Sequence, residues 1–157
     1  MLKPGSKAPE FVLLNDEGEE TSLSDLLQDG PLILYFYPAD FTPGCTKEAC
    51  SIRDIHDDIQ AVGLKVAGIS PQDVASHTKF RDKYDLPFTL LSDPDKVAIK
   101  MYDVDGMFGV GVARATYLIK QDRTIQDAVL ANVRIGRHQE FIEKAVVLRE
   151  AAGKRAG

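Results

Sequence analysis

The alternation of apolar and polar positions divides the first half of the chain into strands and a long helix. Pro31 to Tyr37 is an unbroken hydrophobic run, which is typical of a central parallel strand covered on both faces. Further along, branched apolar residues recur at steps of three and four, and this spacing predicts a helix with a buried stripe that ends near Gly63. The stripe consists of Ile52, Ile55, Ile59 and Val62. Leu64 to Ile69 follows as a second short strand, so the region predicts a β-α-β unit.

Turn residues divide the rest of the chain into shorter elements. Asn15 to Gly18 and Lys120 to Arg123 predict two hairpin turns, one before and one after the central unit. The further predicted strands are Phe11–Leu14, Glu20–Leu23, Phe88–Leu91, Arg114–Ile119 and Thr124–Ala131, and the further predicted helices are Ser24–Gln28, Val74–Tyr84, Lys96–Tyr102 and Arg137–Ala152. The helix Val74–Tyr84 is mostly polar, so we expect it to lie on the surface.

No internal repeat or linker interrupts this order of elements. We therefore expect one α/β domain that spans residues 1–157, with a core that needs no disulfide for its stability, since 44% of the residues are hydrophobic. The segment Asp105 to Val112 is rich in glycine, but it does not match the dinucleotide-binding fingerprint and is predicted to be a loop.

Charge and composition narrow the class of function. A net charge of -5 and a pI near 5.2 argue against nucleic acid or an anionic membrane as the main partner. The chain has no apolar segment of membrane-spanning or secretory length, and we therefore expect a cytoplasmic protein. Two cysteines in a reducing compartment rarely form a permanent bridge, which leaves redox chemistry or inert burial as their roles.

Both cysteines lie just after the central apolar strand. Thr42 is a favourable N-cap and Pro43 suits the first helical position, which places Cys45 in the first turn, where free amides and the helix dipole favour a negative sulfur. In an ideal helix the Cα atoms of Cys45 and Cys50 lie about 9 Å apart, whereas a disulfide requires less than about 7 Å. A bond between these cysteines therefore requires the first turns of the helix to unwind.

A reactive thiolate at Cys45 requires more than the helix dipole, because the dipole alone lowers a thiol pKa by less than about one unit. Arg114 is the candidate cation, since it opens an apolar strand that can lie beside the central one. Each residue also has a simpler interpretation: either cysteine can be a small buried hydrophobe, and Arg114 a surface charge. A zinc site is disfavoured because the chain has no second cysteine pair. The three histidines, His56, His77 and His138, are expected on the solvated surface.

The segment Pro38 to Cys45 resembles the Pro-x-x-x-Thr-x-x-Cys signature of the peroxiredoxins. Cys50 resembles the resolving cysteine of the bacterioferritin comigratory protein, or peroxiredoxin Q, subfamily, and Arg114 to Ile119 is similar to the Arg-x-Thr-Phe-x-Ile strand of that family. The likeness begins near Pro4 and covers nearly the whole chain. It implies a thioredoxin-like fold, a central mixed sheet flanked by helices, with an N-terminal hairpin extension.

The same resemblance implies roles for the residues around Cys45. Cys45 is expected to be the peroxidatic cysteine, with Thr42 and Arg114 holding the peroxide. Pro38 is expected to shield the pocket from water, and Glu48 to help place Arg114.

The resemblance also implies a catalytic cycle and its partners. Cys50 is expected to condense with the Cys45 sulfenic acid, and the disulfide to be reduced by thioredoxin or a similar dithiol, without a metal or cofactor. Similar proteins are often monomers. The alternative is a redox-regulated chaperone or sensor that uses the same helix unwinding; a thiol:disulfide oxidoreductase is disfavoured because the chain has no Cys-x-x-Cys. The Asp105 to Val112 loop carries fewer lysines than many relatives, which leaves the reductase docking surface and the preferred peroxide open.

Overall fold

The computed structural model describes residues 1–106, 109, 111–132, 134 and 136–156. In these ranges seven strands form one sheet, and six helices pack against it. The strands are β1 (Val12–Asn15), β2 (Glu20–Ser22), β3 (Leu32–Phe36), β4 (Lys65–Ser70), β5 (Thr89–Ser92), β6 (Ala115–Ile119) and β7 (Ile125–Leu130). The helices are α1 (Leu23–Leu26), α2 (Pro43–Asp54), α3 (His56–Ala61), α4 (Val74–Tyr84), α5 (Val97–Met101) and α6 (Gly136–Ala156).

The sheet is mixed, in the order β2-β1-β5-β4-β3-β6-β7. Strands β3, β4 and β5 run parallel, and the other pairings are antiparallel. The apolar run is a central strand, as predicted, and all five residues of β3 are buried. The N-terminal hairpin joins the sheet through β1 and β5. This architecture confirms the predicted thioredoxin-like α/β class.

Apolar side chains cover both faces of the sheet. Helices α1 and α5 pack on one face, where Leu32, Leu34 and Phe36 point, and α2, α3, α4 and α6 contribute to the cluster on the other face. Cys45 belongs to this second cluster together with Tyr35, whose ring lies against Gly68 on β4. A Cβ atom at that glycine would lie 2.7 Å from the ring, so the position requires glycine.

Two predictions about helices need correction, and one about a loop lies partly outside the described residues. The helix predicted to continue to Gly63 breaks at Ile55, where φ is -109° and ψ is 9°, and it forms α2 and α3. Helix α4 has the predicted bounds, but it buries His77 and Phe80 against the core and is not only a surface helix. In the predicted Asp105 to Val112 loop, residues 107, 108 and 110 lie outside the described part of the chain.

Candidate active site

The turn that links β3 to α2 brings Cys45 into the core. Thr42 has the extended backbone of an N-cap, and its carbonyl accepts the first helical hydrogen bond, from the Thr46 amide at 2.9 Å. The sequence suggested that the Thr42 hydroxyl caps the helix, but it makes no capping hydrogen bond. It donates instead to the carbonyl of Ala39, at 3.1 Å. Pro43 is the first helical residue, so Cys45 lies in the first turn, where amides are free to face a sulfur anion, and is only 1% exposed.

Cys50 lies on the same unbroken helix and is half-buried. Both cysteines are free thiols. Because α2 is continuous from Pro43 to Asp54, the ideal-helix separation of about 9 Å between the Cys45 and Cys50 Cα atoms applies, which is too long for a disulfide. The structure is therefore a reduced state, and a bond between the two sulfurs requires α2 to open.

Arg114 is brought to the Cys45 end of the sheet by strand pairing. It directly precedes β6, and Ala115 pairs with Phe36, the last residue of β3. The Nη1 atom of Arg114 lies 3.7 Å from Oε1 of Glu48, three residues beyond Cys45 on α2. This distance is a charge contact and not a hydrogen bond. The fold thus places Arg114 beside Glu48, the residue that the resemblance implies helps to position it.

Glu48 carries its carboxylate deep in the protein, with 1% of the residue exposed. Burial raises the pKa of Glu48 to about 8, and the Arg114 charge opposes this rise only in part. At neutral pH the side chain is therefore mostly protonated. Arg114 then retains a positive charge that its neighbour does not neutralise, which is the condition needed for it to attract a thiolate or a developing oxyanion.

Several polar atoms in this region lack a hydrogen-bond partner in the protein. Among the residues that the structure describes, four buried side-chain atoms are in this situation: Tyr35 Oη, both carboxylate oxygens of Glu48, and Arg114 Nη1. Burial raises the pKa of Tyr35, and the neighbouring Glu48 and Cys45 raise it further, which shows that these groups share one environment. Unpaired polar atoms in a core are costly, so their clustering beside Cys45 is typical of a site that binds a polar ligand.

The sequence did not predict that His138 belongs to this cluster, in which it lies beside Glu48. It was expected on the surface, but it is buried on α6, with Nε2 3.0 Å from the carbonyl of Ala131 and Nδ1 2.8 Å from Thr116 Oγ1. A carbonyl only accepts, so Nε2 carries the hydrogen and Nδ1 accepts from the threonine hydroxyl. Burial lowers the pKa of His138, and this neutral ring lies 3.7 Å from Glu48.

The other two histidines are also buried, contrary to expectation. His56 packs against the ring of Phe88, and burial lowers its pKa; His77 is enclosed between α4 and the sheet. No periodic signal could have identified them, because a histidine is buried only when distant residues supply its partners. Pro38, at the start of the turn, is half-buried.

Two further features concern the described residues as a whole. Their His, Cys, Asp and Glu side chains form no group of three that could hold a metal ion. Their helices also include none that is long and apolar enough to cross a membrane.

Comparison with protein families gives one match that spans most of the chain. The AhpC/TSA family model matches residues 4–128. A putative peroxiredoxin of Coxiella burnetii, named bcp, is 46% identical over 143 residues, covering 87% of this chain and 93% of the relative. The chloroplastic peroxiredoxin Q of Oryza sativa subsp. japonica is 45% identical over 126 residues, or 80% of this chain, which spans 58% of the length of that relative.

Solved structures show the same likeness in three dimensions. The peroxidoxin BcpB of Mycobacterium tuberculosis superposes with a TM-score of 0.87 at 34% identity, covering 96% of this chain and 98% of the other. Peroxiredoxin Q of Xanthomonas campestris superposes with a TM-score of 0.81 at 28% identity, covering 94% and 96%.

Proposed function

The chain belongs to the AhpC/TSA family, as a peroxiredoxin of the bacterioferritin comigratory protein and peroxiredoxin Q type, and we propose that Cys45 and Cys50 carry its peroxidase cycle. The observation that supports this assignment of residues is the position of Cys45. Its buried sulfur lies in the first turn of α2, in the same environment as a glutamate that Arg114 contacts. We propose hydrogen peroxide and organic hydroperoxides as substrates, since the related bacterioferritin comigratory protein of Xanthomonas campestris has alkyl peroxide reduction activity.

In the first step the Cys45 thiolate attacks one oxygen of the peroxide. A sulfur-oxygen bond forms while the oxygen-oxygen bond breaks, and the distal oxygen leaves with the electron pair and takes up a proton to become water or an alcohol. The products are the water or alcohol and the Cys45 sulfenic acid. Arg114 and Thr42 hold the peroxide and stabilise the charge on the leaving oxygen, while Pro38 limits the access of water.

In the second step Cys50 attacks the sulfenic sulfur of Cys45. The Cys45–Cys50 disulfide forms and water leaves, so the two electrons delivered to the peroxide now come from both thiols. The continuity of α2 requires its first turns to open for this step. A dithiol such as thioredoxin then reduces the disulfide, and the cytoplasm, proposed as the location, is a compartment that supplies such donors.

The cycle is tested by measuring peroxide consumption with thioredoxin and its reductase present. The wild-type protein is expected to turn over many equivalents of peroxide, and Cys45→Ser to consume none above background. A wild-type rate equal to that of Cys45→Ser rejects the proposed cycle. One equivalent of peroxide consumed without turnover would favour the alternative, a redox sensor or regulated chaperone.

The role of Cys50 is tested separately with Cys50→Ser. This variant is expected to react once with peroxide and to stop as the Cys45 sulfenic acid, which mass spectrometry detects as the dimedone adduct. A normal multi-turnover cycle in Cys50→Ser would show that another thiol resolves Cys45.

A further inference from the structure

A buried hydrogen-bond network joins the turn before α2 to helix α4. We call it the Asp40 network, and it consists of Asp40, Tyr37, Ser76 and His77. The Asp40 carboxylate accepts from the Tyr37 hydroxyl at 2.7 Å and the Ser76 hydroxyl at 2.8 Å, and it lies 2.7 Å from Nδ1 of His77. The side chains of Asp40 and His77 are both 0% exposed.

The hydrogen bonds of His77 fix how the network is charged. Its Nε2 lies 3.0 Å from the carbonyl of Leu91, which can only accept, so Nε2 carries a hydrogen. One further hydrogen lies between Nδ1 and the Asp40 carboxylate. Whether this hydrogen is bonded to Nδ1 or to the carboxylate, the His77 and Asp40 pair has no net charge. Every polar atom of the two side chains has a partner. The pair can therefore be buried without an uncompensated charge.

The residue after Asp40 shows why the turn requires such a support. Phe41 has a φ of +64°, a left-handed conformation that is rare for a bulky side chain and costs on the order of 1–3 kcal/mol. Its ring packs on Phe80 and Tyr84 of α4, at centroid distances of 5.2 and 6.5 Å, and Lys83 Nζ lies 5.7 Å from it. Two successive residues of the turn are thus held by the same helix.

We propose that Asp40 and His77 are positioning residues of the peroxide site, and that α4 holds the turn that positions Pro38 and Thr42 beside Cys45. This inference rests on the proposed function. Asp40 lies between Pro38 and Thr42 in the sequence, so displacement of Asp40 moves both residues expected to line the pocket. None of the partners of Asp40 lies on α2: Tyr37 follows β3, and Ser76 and His77 belong to α4. The support therefore remains in place when the first turns of α2 open.

The experiment compares two reactions of Cys45 in single turnover. The rate constant for oxidation by hydrogen peroxide depends on how the peroxide is held, whereas alkylation by iodoacetamide reports the accessible thiolate alone. In Asp40→Asn and His77→Gln we expect the peroxide rate constant to fall by about 10- to 100-fold, as for a small misplacement of reacting groups. The alkylation rate constant is expected to change by less than about threefold, since the sulfur keeps its place at a helix start.

Asp16→Asn is the matched control. Asp16 is also a buried carboxylate bound to α4, through Arg81 at 2.7 Å, but its contacts do not include the turn before α2. We expect its peroxide rate constant to equal that of the wild type. An equal loss in Asp16→Asn, or a parallel fall of both reactions in Asp40→Asn, would assign the effect to general loosening of α4 and overturn the proposal.

Ser76→Ala keeps the proposal testable if the other variants do not fold. It removes one hydrogen bond to Asp40 and leaves the histidine pair intact, and we expect a fall of about threefold in the peroxide rate constant alone, equivalent to a weakened hydrogen bond. An unchanged peroxide rate in all folded variants overturns the proposal. Failure of the proposed function looks different, because the wild-type protein itself would then not react with peroxide.

Discussion

Two buried carboxylates, Asp40 and Glu48, lie on either side of Cys45 in the sequence, and the fold surrounds them differently. Asp40 is fully hydrogen-bonded, with partners at 2.7 to 2.8 Å. Glu48 lies 3.7 Å from the guanidinium of Arg114 and 3.7 Å from the neutral ring of His138, and in the described part of the chain neither of its oxygens has a hydrogen-bond partner. The first arrangement holds a backbone turn in one conformation, and the second leaves polar atoms available for a reaction.

The difference has a general physical reason. A buried polar group that is fully hydrogen-bonded makes a core rigid and specific. A buried polar group without a partner lowers stability, so its presence indicates a role other than stabilising the fold. We therefore expect changes in the Asp40 network to reduce stability as well as the peroxide rate constant, and changes around Glu48 to reduce activity more than stability.

The largest effect on stability is expected for His77→Leu. It leaves the Asp40 carboxylate buried without its nitrogen partner, which costs about 3–5 kcal/mol in the free energy of unfolding. Urea denaturation measures this cost. His56→Leu is the control, since His56 is a buried histidine that packs on Phe88, and its loss is expected to cost less than about 1 kcal/mol. A His77→Leu protein as stable as the control would show that the Asp40 network does not support the fold.

Apart from loss of Cys45 itself, the largest effect on activity is expected for Arg114→Met. The substitution keeps much of the aliphatic chain but removes the charge, and the rate constant for peroxide should fall by about 10²- to 10³-fold, as for loss of an oxyanion-binding donor. The free energy of unfolding should change by less than about 1 kcal/mol, because a poorly paired buried charge is removed. A loss of several kcal/mol without a loss of rate would assign Arg114 to the scaffold.

Glu48→Gln should change the dependence of stability on pH. The pKa of Glu48 is raised to about 8 in the folded protein from an ordinary value of 4.5, so its contribution to stability is complete below pH 4.5 and is lost as the pH rises through 8. Glutamine cannot ionise and escapes this loss. We expect the variant to equal the wild type near pH 4.5, to exceed it by on the order of 2 kcal/mol at pH 6, and to exceed it by more at pH 9.

This prediction is checked by urea denaturation at several pH values in both proteins. Parallel stability profiles from pH 4.5 to 9 would show that Glu48 ionises at its ordinary pKa. The groups that interact with the carboxyl, Arg114, His138 and Tyr35, are unchanged in the variant, so the difference between the profiles reports Glu48.

The smallest and most closely matched test uses two tyrosines at the end of β3. The rings of Tyr35 and Tyr37 stack at 5.3 Å; the Tyr37 hydroxyl donates to Asp40, while the Tyr35 hydroxyl has no partner in the protein among the described residues. Tyr37→Phe should destabilise the protein by about 1.5–3 kcal/mol, the value for a hydrogen bond to a charged acceptor. Tyr35→Phe should be neutral or slightly stabilising. Thermal unfolding compares them, and equal losses would contradict the distinction.

Local patterns predicted most of the elements because local interactions determine them. The unbroken apolar run became β3, the Thr-Pro-Gly-Cys segment became the start of α2, and Val74–Tyr84 has the predicted bounds. The break at Ile55 was not predicted. The apolar spacing continues across it, and the sequence has no proline or glycine there to interrupt the helix.

The candidate site was predictable in part. The resemblance pointed to Cys45, Cys50, Thr42, Pro38, Glu48 and Arg114, and their roles stay predictions. It did not point to His138, which lies 22 residues from its partner Thr116, or to Asp40 and His77, which lie 37 residues apart. Each of these histidines was expected in solvent, since a polar residue on a mostly polar helix gives no sign of burial.

The sequence by itself determined that Cys45 lies in the first turn of a helix and how far along that helix Cys50 lies, because helix geometry depends only on neighbouring residues. Only the tertiary structure decided which buried carboxylate is fully paired and which is left open. That choice depends on distant strands and helices meeting at the turn around Asp40 and at the Glu48 side chain, and hydrogen bonding in a core is decided by such encounters.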